Sequence, residues 1–175
     1  MSEERSLTYY RRILFCTDFS ENADFAFGFA LDAVCRRPGS KLYLLHVVPE
    51  TEAQFWKTYI YEVDNVDAKA KHDIDDKIQE AYLARIPAAV AHEVVFQVGR
   101  ADQVILEYAK ENDIDLIVIG RQGRGGSIRQ TFFGNVAEKI ARKASCAVLI
   151  VPLSFKTRFK ETCLLYTSDA ADEED

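Results

Sequence analysis

Apolar residues along this chain fall into two alternating patterns. Arg12–Cys16, Lys41–Val48, Ala91–Val98, Leu116–Ile119 and Ala147–Val151 are short apolar blocks. Blocks of this length read as buried strands. Between them, apolar residues recur at helical spacing. Ala23, Phe27, Ala30, Leu31 and Val34 follow Ser20, a good N-cap, with Glu21 and Asp24 in the first turn, where the helix dipole favours acids. Pro38-Gly39 ends that helix, and Pro49 and Gly99 stop the second and third strands. Val63, Val66, Ala70, Ile74, Ile78 and Tyr82 trace one face of a long helix closed by Pro87. Val104, Ile105, Tyr108 and Ala109 mark a third helix, and Asn135–Ala144 a fourth. Repeated strand–helix units with apolar strands predict an α/β fold: an open five-stranded parallel sheet with helices on both faces.

The fourth strand runs into a glycine-rich stretch, Gly120 to Ser127, which continues to Gly134-Asn135 at the start of the fourth helix. Strand, glycine loop and helix start together put backbone N–H groups around a phosphate. Glycine turns at positive φ and comes close to a ligand without a Cβ in the way. Arg121, Arg124 and Arg129 add positive charge. The competing reading is a flexible connection with solvated arginines. Two familiar phosphate motifs fail. A Walker A loop needs Lys ahead of Ser127, where Gly126 stands, and a dinucleotide fingerprint from Gly123 needs Gly at Ile128.

The loop resembles the signature of the universal stress protein family, Gly-x2-Gly-x9-Gly-Ser/Thr. Gly120, Gly123 and Gly134 match its glycines, with ten residues instead of nine before the third and Asn135 in place of Ser/Thr. Ile13 to Ser20 is similar to the family's first strand and its Asp-Phe-Ser turn, Leu45 to Val48 to the end of its second strand, and Ala147 to Val151 to its last. The resemblance runs from Arg12 to Pro152. It implies strand order 3-2-1-4-5, in which the chain reverses between strands 1 and 4, and ligands bind at such switch points. It also implies ATP, alone or with Mg2+, as a regulatory ligand in a cytoplasmic stress-response protein.

On that resemblance, Gly120, Gly123, Gly134 and the amide of Asn135 cradle phosphates, and the Asn135 side chain donates an N–H in place of a hydroxyl. Asp18 accepts from ribose hydroxyls or the adenine amine; its alternative role is to cap the turn before the first helix. Val47 contacts adenine, and Gln122 reaches the phosphates. Thr17, Ile119 and Val136 are expected to bind ATP with these groups, and Arg121 and Arg124 are candidate phosphate contacts. Family members pair through the last strand, so Ala147, Val148, Leu149, Ile150 and Val151 are expected to join two copies. No general base stands out, so at most slow hydrolysis is expected. Two rival readings stand beside this one. The first is a dimeric interaction module that has lost nucleotide. The second is an ATP-using enzyme of related fold, for which no H-x-G-H or S-G-G-x-D-S motif is present.

Cys163 to Glu173 resembles a reading frame through a sequencing-library adapter, so 163–175 is expected to be a disordered tail, with 153–162 a linker or a truncated continuation. Met1 to Arg11 reads as an N-terminal extension and 12–152 as the domain. The tail distorts the charge. The chain carries 22 Lys+Arg and 28 Asp+Glu, net −6; five of the acids and none of the bases lie beyond Thr162, which leaves 22 against 23, net −1. Nothing in that balance points to nucleic acid, and no apolar run approaches a membrane span. Cys16, Cys35 and Cys146 form no C-x-x-C pair, which favours a reduced setting. His46, His72 and His92 lack metal-ligand spacing, and His46 in an apolar strand reads as a core histidine. The aromatic segment Phe55 to Tyr61 reads as core, or as a flap or dimer surface.

Overall fold

Strand side chains alternate between two faces, so each apolar block must be covered twice. The computed structural model of the chain describes residues 10–52, 76–123 and 134–158. Its strands are β1 (Arg12–Thr17), β2 (Lys41–Val48), β3 (Ala91–Val98), β4 (Leu116–Gly120) and β5 (Ala147–Val151). Every pairing is parallel, in the order β3-β2-β1-β4-β5. Ile13, Phe15, Leu42, Leu44, Leu116 and Val118 point to one face, against helix α1 (Glu21–Cys35). Leu14, Cys16, Tyr43, Leu45, Ile117 and Ile119 point to the other, against α2 (Ala101–Glu111) and α3 (Asn135–Lys143). The expected α/β architecture and strand order are therefore present, with helices on both faces.

Helix α1 starts where its cap places it: the Ala23 N–H donates to Ser20 Oγ at 3.1 Å. Its buried face holds Asn22 and Ala26 besides Ala23, Phe27, Ala30 and Val34, while Leu31 is half-buried. The turn at Pro38-Gly39 needs its glycine, which sits at φ 84°.

The helix expected to run to Pro87 ends sooner. Residues 76–81 are helical, and Leu83–Arg85 form a single 3-10 turn. Between them Tyr82 leaves helical geometry, at φ −128° and ψ −52°. Its ring packs on Phe15 at 5.2 Å and Phe27 at 4.8 Å, and its hydroxyl bonds Thr17 Oγ1 at 2.6 Å. Burial pushes the Tyr82 phenol above its usual range, against the pull of the Thr17 hydrogen bond. Val63 to Ile74 and the segment Phe55 to Tyr61 lie outside the described residues, as do Met1 to Tyr9 and the tail from Phe159 onward.

The segment expected as a linker or a truncated continuation is described as far as residue 158. Residues 155–158 are helical and pack on α1, with Phe155 6.1 Å from Phe29 and Lys156 Nζ 2.9 Å from Glu21 Oε1. An aromatic contact anchors it, which a purely solvated linker lacks.

Tyr82 is 1% exposed and joins residues 76–86 to the sheet. Tyr82→Ala should therefore destabilise the protein by about 3–5 kcal/mol, through a cavity under α1. Tyr82→Phe should lose only the hydroxyl bond, about 1 kcal/mol. Urea unfolding midpoints read both; an unchanged midpoint for Tyr82→Ala would show that this segment does not dock.

Candidate functional site

Strands β1 and β4 are neighbours, yet their following segments leave in opposite directions, to α1 on one face and α3 on the other. A crevice opens at their carboxyl ends, as expected at a switch point. It forms a cavity of about 620 Å³, within the range of small-molecule sites. Its lining brings together Thr17 at the end of β1 and Asp18 after it, Val47 near the end of β2, Ile119 and Gly120 at the end of β4, Arg121, Gln122 and Gly123 in the loop, and Gly134, Asn135 and Val136 at the start of α3. These residues come from segments a hundred positions apart. Arg124 and Arg129 lie outside the described residues.

The turn after β1 is held by its own side chains. Thr17 Oγ1 accepts the Phe19 N–H at 2.9 Å, and Asp18 Oδ1 accepts the Ser20 N–H at 3.0 Å. Asp18 thus performs the turn-capping role with one oxygen. Its other oxygen, Oδ2, faces the loop, where a Cβ on Gly123 would sit 2.5 Å from it. Thr17 is buried, with its hydroxyl engaged by Tyr82 and Phe19, so its side chain supports the turn from beneath. Phe19 takes the left-handed region at φ 60°, a cost its ring contacts with His46 (4.7 Å) and Tyr82 (6.1 Å) offset.

The loop glycines act differently from the expectation. Neither Gly120, Gly123 nor Gly134 has positive φ. Their requirement is steric, and the neighbours belong to this chain. Cβ atoms would meet Asn22 Cγ at 3.0 Å from Gly120, Asp18 Oδ2 at 2.5 Å from Gly123 and the Arg121 carbonyl at 2.9 Å from Gly134. The Gly134 N–H donates to that same Arg121 carbonyl at 2.8 Å. As N-cap of α3, Gly134 has no side chain to cap the first turn. Asn135 and Val136 carry the next backbone N–H groups, and both line the cavity. The N-terminal end of a helix favours an anion there.

Asn22 was not legible as a site residue, and it organises the loop. It is 4% exposed in the first turn of α1. Its Nδ2 donates to the Val151 carbonyl at 2.8 Å, and its Oδ1 accepts the Gln122 N–H at 3.0 Å. Only one amide orientation satisfies both bonds, because the flipped one would set oxygen against oxygen and N–H against N–H. The available signal was an amide two residues into a helix whose neighbours are apolar, where asparagine is a poor helix former.

The base of the cavity is apolar. Val47 lies one residue past the last β1–β2 pair, Thr17 with His46, and packs against the core cluster that includes Leu45 and Ile119. His46 is half-buried and lines the cavity instead of sitting wholly in the core; its Nδ1 donates to the Thr17 carbonyl at 2.9 Å. Cys16 is buried beneath the cavity, and desolvation pushes its thiol far above the usual range, so it stays protonated. Helices α2 and α3 flank the opening and are joined by Lys139 Nζ and Asp102 Oδ2 at 3.4 Å. Burial opposes ionisation of Asp102, but Arg100 and Lys139 outweigh it and hold its carboxyl below the usual value. Among the described residues no cluster of His, Cys, Asp and Glu could hold a metal, and no helix is long and apolar enough to cross a membrane.

Comparison with known proteins gives one consistent answer. Residues 9–152 match the model of the Universal stress protein family. Universal stress protein YxiE of Bacillus subtilis is 28% identical over 131 residues, 70% of this chain and 88% of that protein. The solved structure of universal stress protein UspA from Lactobacillus plantarum superposes with a TM-score of 0.63 at 26% identity, over 82% of this chain and 98% of that one. A universal stress protein solved in complex with cAMP superposes with a TM-score of 0.55 at 22% identity, over 82% of this chain and 98% of that one. At 22% identity that last likeness is one of fold. Because the match spans all five strands, the loop and the cavity between them, the chain belongs to the universal stress protein family.

Proposed function

We propose that this chain binds ATP, alone or with Mg2+, as a regulatory ligand in the cavity at the β1–β4 switch point. The observation that carries the reading is convergence. The Asp18 turn, the glycine loop and the first turn of α3 line one cavity, with Asp18 Oδ2 against Gly123. A carboxylate beside the loop suits ribose hydroxyls, the helix start suits phosphate, and the apolar floor around Val47 and Ile119 suits a base. A relative of the same fold was solved with cAMP, which makes nucleotide the class to test. Gly120, Gly123, Gly134, Asn135 and Val136 line the phosphate end, with Gln122 and Arg121 beside them; Arg124 is proposed as a further phosphate contact from its place in the sequence alone. Thr17 supports this site through Asp18. The proposed setting is the cytoplasm.

A second reading has its own observation. β5 is the sheet's outer strand beside β4, and its Leu149 is 37% exposed. An edge strand with apolar residues is a template for pairing. We therefore also propose an isologous pairing of two copies along Ala147–Val151, a surface that would serve an interaction module with or without nucleotide.

Two outcomes are expected. Calorimetry should show saturable ATP binding by the unmodified protein, tighter than for 2′-deoxy-ATP. Asp18→Asn keeps the oxygen that accepts the Ser20 N–H but loses the charge, so ATP should bind roughly tenfold to a hundredfold more weakly, about 1.5–3 kcal/mol. Its melting temperature should hold, and the preference for the ribose 2′-hydroxyl should shrink. Absence of any binding heat at millimolar ATP would remove the nucleotide reading and leave the interaction module. For the edge, light scattering should find a dimer. Leu149→Lys should produce monomers with nearly unchanged melting, since an exposed substitution costs little in the monomer. A monomeric unmodified protein would sink the pairing.

A further inference from the structure

We propose that Asn22 is the positioning residue of the glycine loop, holding its first residues in the shape that receives a phosphate. The inference rests on the nucleotide reading of the cavity and deepens it. The Val151 carbonyl accepts two N–H groups, from Arg121 at 2.9 Å and from Asn22 Nδ2 at 2.8 Å. Asn22 Oδ1 then takes the Gln122 N–H at 3.0 Å, while the Arg121 carbonyl takes the Gly134 N–H at 2.8 Å. The chain of bonds runs from the end of β5, through α1, to the loop and on to the first turn of α3. Each link ends on backbone, so the path fixes main-chain positions, which are what a phosphate cradle is made of.

Burial makes the device exacting. At 4% exposure a carboxamide must have both ends satisfied, and here both are. The packing shows the same fit. A Cβ on Gly120 would sit 3.0 Å from Asn22 Cγ and 3.1 Å from the Asn22 carbonyl carbon, so the first glycine of the loop makes room for Asn22. Without the Asn22 side chain, the Gln122 N–H loses its acceptor and the Val151 carbonyl loses one of two donors. The loop then keeps its sequence and loses its placement.

A positioning role predicts a split that a general loss of stability does not. Asn22→Ala should weaken ATP binding by at least about tenfold, the loss of one or two bonds' worth of loop order. Adenosine, which has no phosphate, should bind as it does to the unmodified protein. Amide exchange followed by NMR should accelerate at Gln122 in the ligand-free variant while β1 and β2 amides keep their protection. Asn22→Asp preserves the acceptor for Gln122 and the side-chain volume, with its second oxygen bonding the Val151 carbonyl only as a protonated O–H, so it is measured at low pH if the alanine variant fails to fold. It should protect the Gln122 amide better than alanine does. Equal weakening of ATP and adenosine, or no change in either, would overturn the proposal. If the unmodified protein binds no ATP, the nucleotide reading fails by itself. Exchange at Gln122 then decides the clamp: acceleration upholds Asn22 as the loop's anchor, and unchanged protection removes it.

Discussion

Strand β1 is hydrogen-bonded to parallel strands on both edges, and the site follows from that. A strand flanked by β2 and β4 has no edge left, so the chain must leave the sheet at Thr17 and cross to α1. The connection after β4 must cross to the other face. Between the two departures no strand can continue, and the backbone there needs partners from elsewhere. Thr17, Asp18 and Ser20 supply them in sequence, accepting the N–H groups of Phe19, Ser20 and Ala23. The turn therefore carries a carboxylate for a structural reason before any ligand is considered. That is why a turn-capping Asp18 and a ligand-facing Asp18 are compatible: its two oxygens point to different neighbours.

The glycines of the loop obey the same economy. Gly120, Gly123 and Gly134 stand where the chain's own atoms come too close for a side chain, at Asn22, at Asp18 and at the Arg121 carbonyl. Positive φ was one expected reason, and none of the three shows it; internal close packing is the observed requirement. The consequence for binding is favourable. Where the described ends of the loop, at 120–123 and at Gly134, are already packed on their neighbours, a ligand has less conformational entropy to remove.

How much of this could be read from the residues depended on whether the signal was local. The strands were legible because short apolar blocks bounded by Pro49, Gly99 and similar stops have few alternatives. Strand order was legible only by resemblance, since nothing in a block's composition says which block lies beside it. The cavity lining followed from that order. Asn22 and Tyr82 were not legible as anchors. Asn22 sits on the buried face that Ala26 extends, beside the apolar residues that defined the helix, and its partners are 100 and 129 positions away. Tyr82 fitted helical spacing, but its partner Thr17 is 65 positions away, and that contact accompanies the break in the helix. Periodicity reports which face is buried. It is silent on which buried polar atom meets which.

Val151 shows what such long-range pairing does to the whole. It is the last residue of β5 and the one buried residue in that strand. Its carbonyl receives Arg121 and Asn22, which sit at the root of the loop and in the first turn of α1. The sheet's outer strand and the candidate phosphate end of the cavity are therefore separated by single hydrogen bonds. A shift of β5 along its axis has to stretch one of these bonds or carry Arg121 with it, and Arg121 in turn holds Gly134 at the start of α3. Interiors packed in this way move between discrete arrangements, since continuous deformation would leave the carbonyl or the amides unpaired in a dry setting.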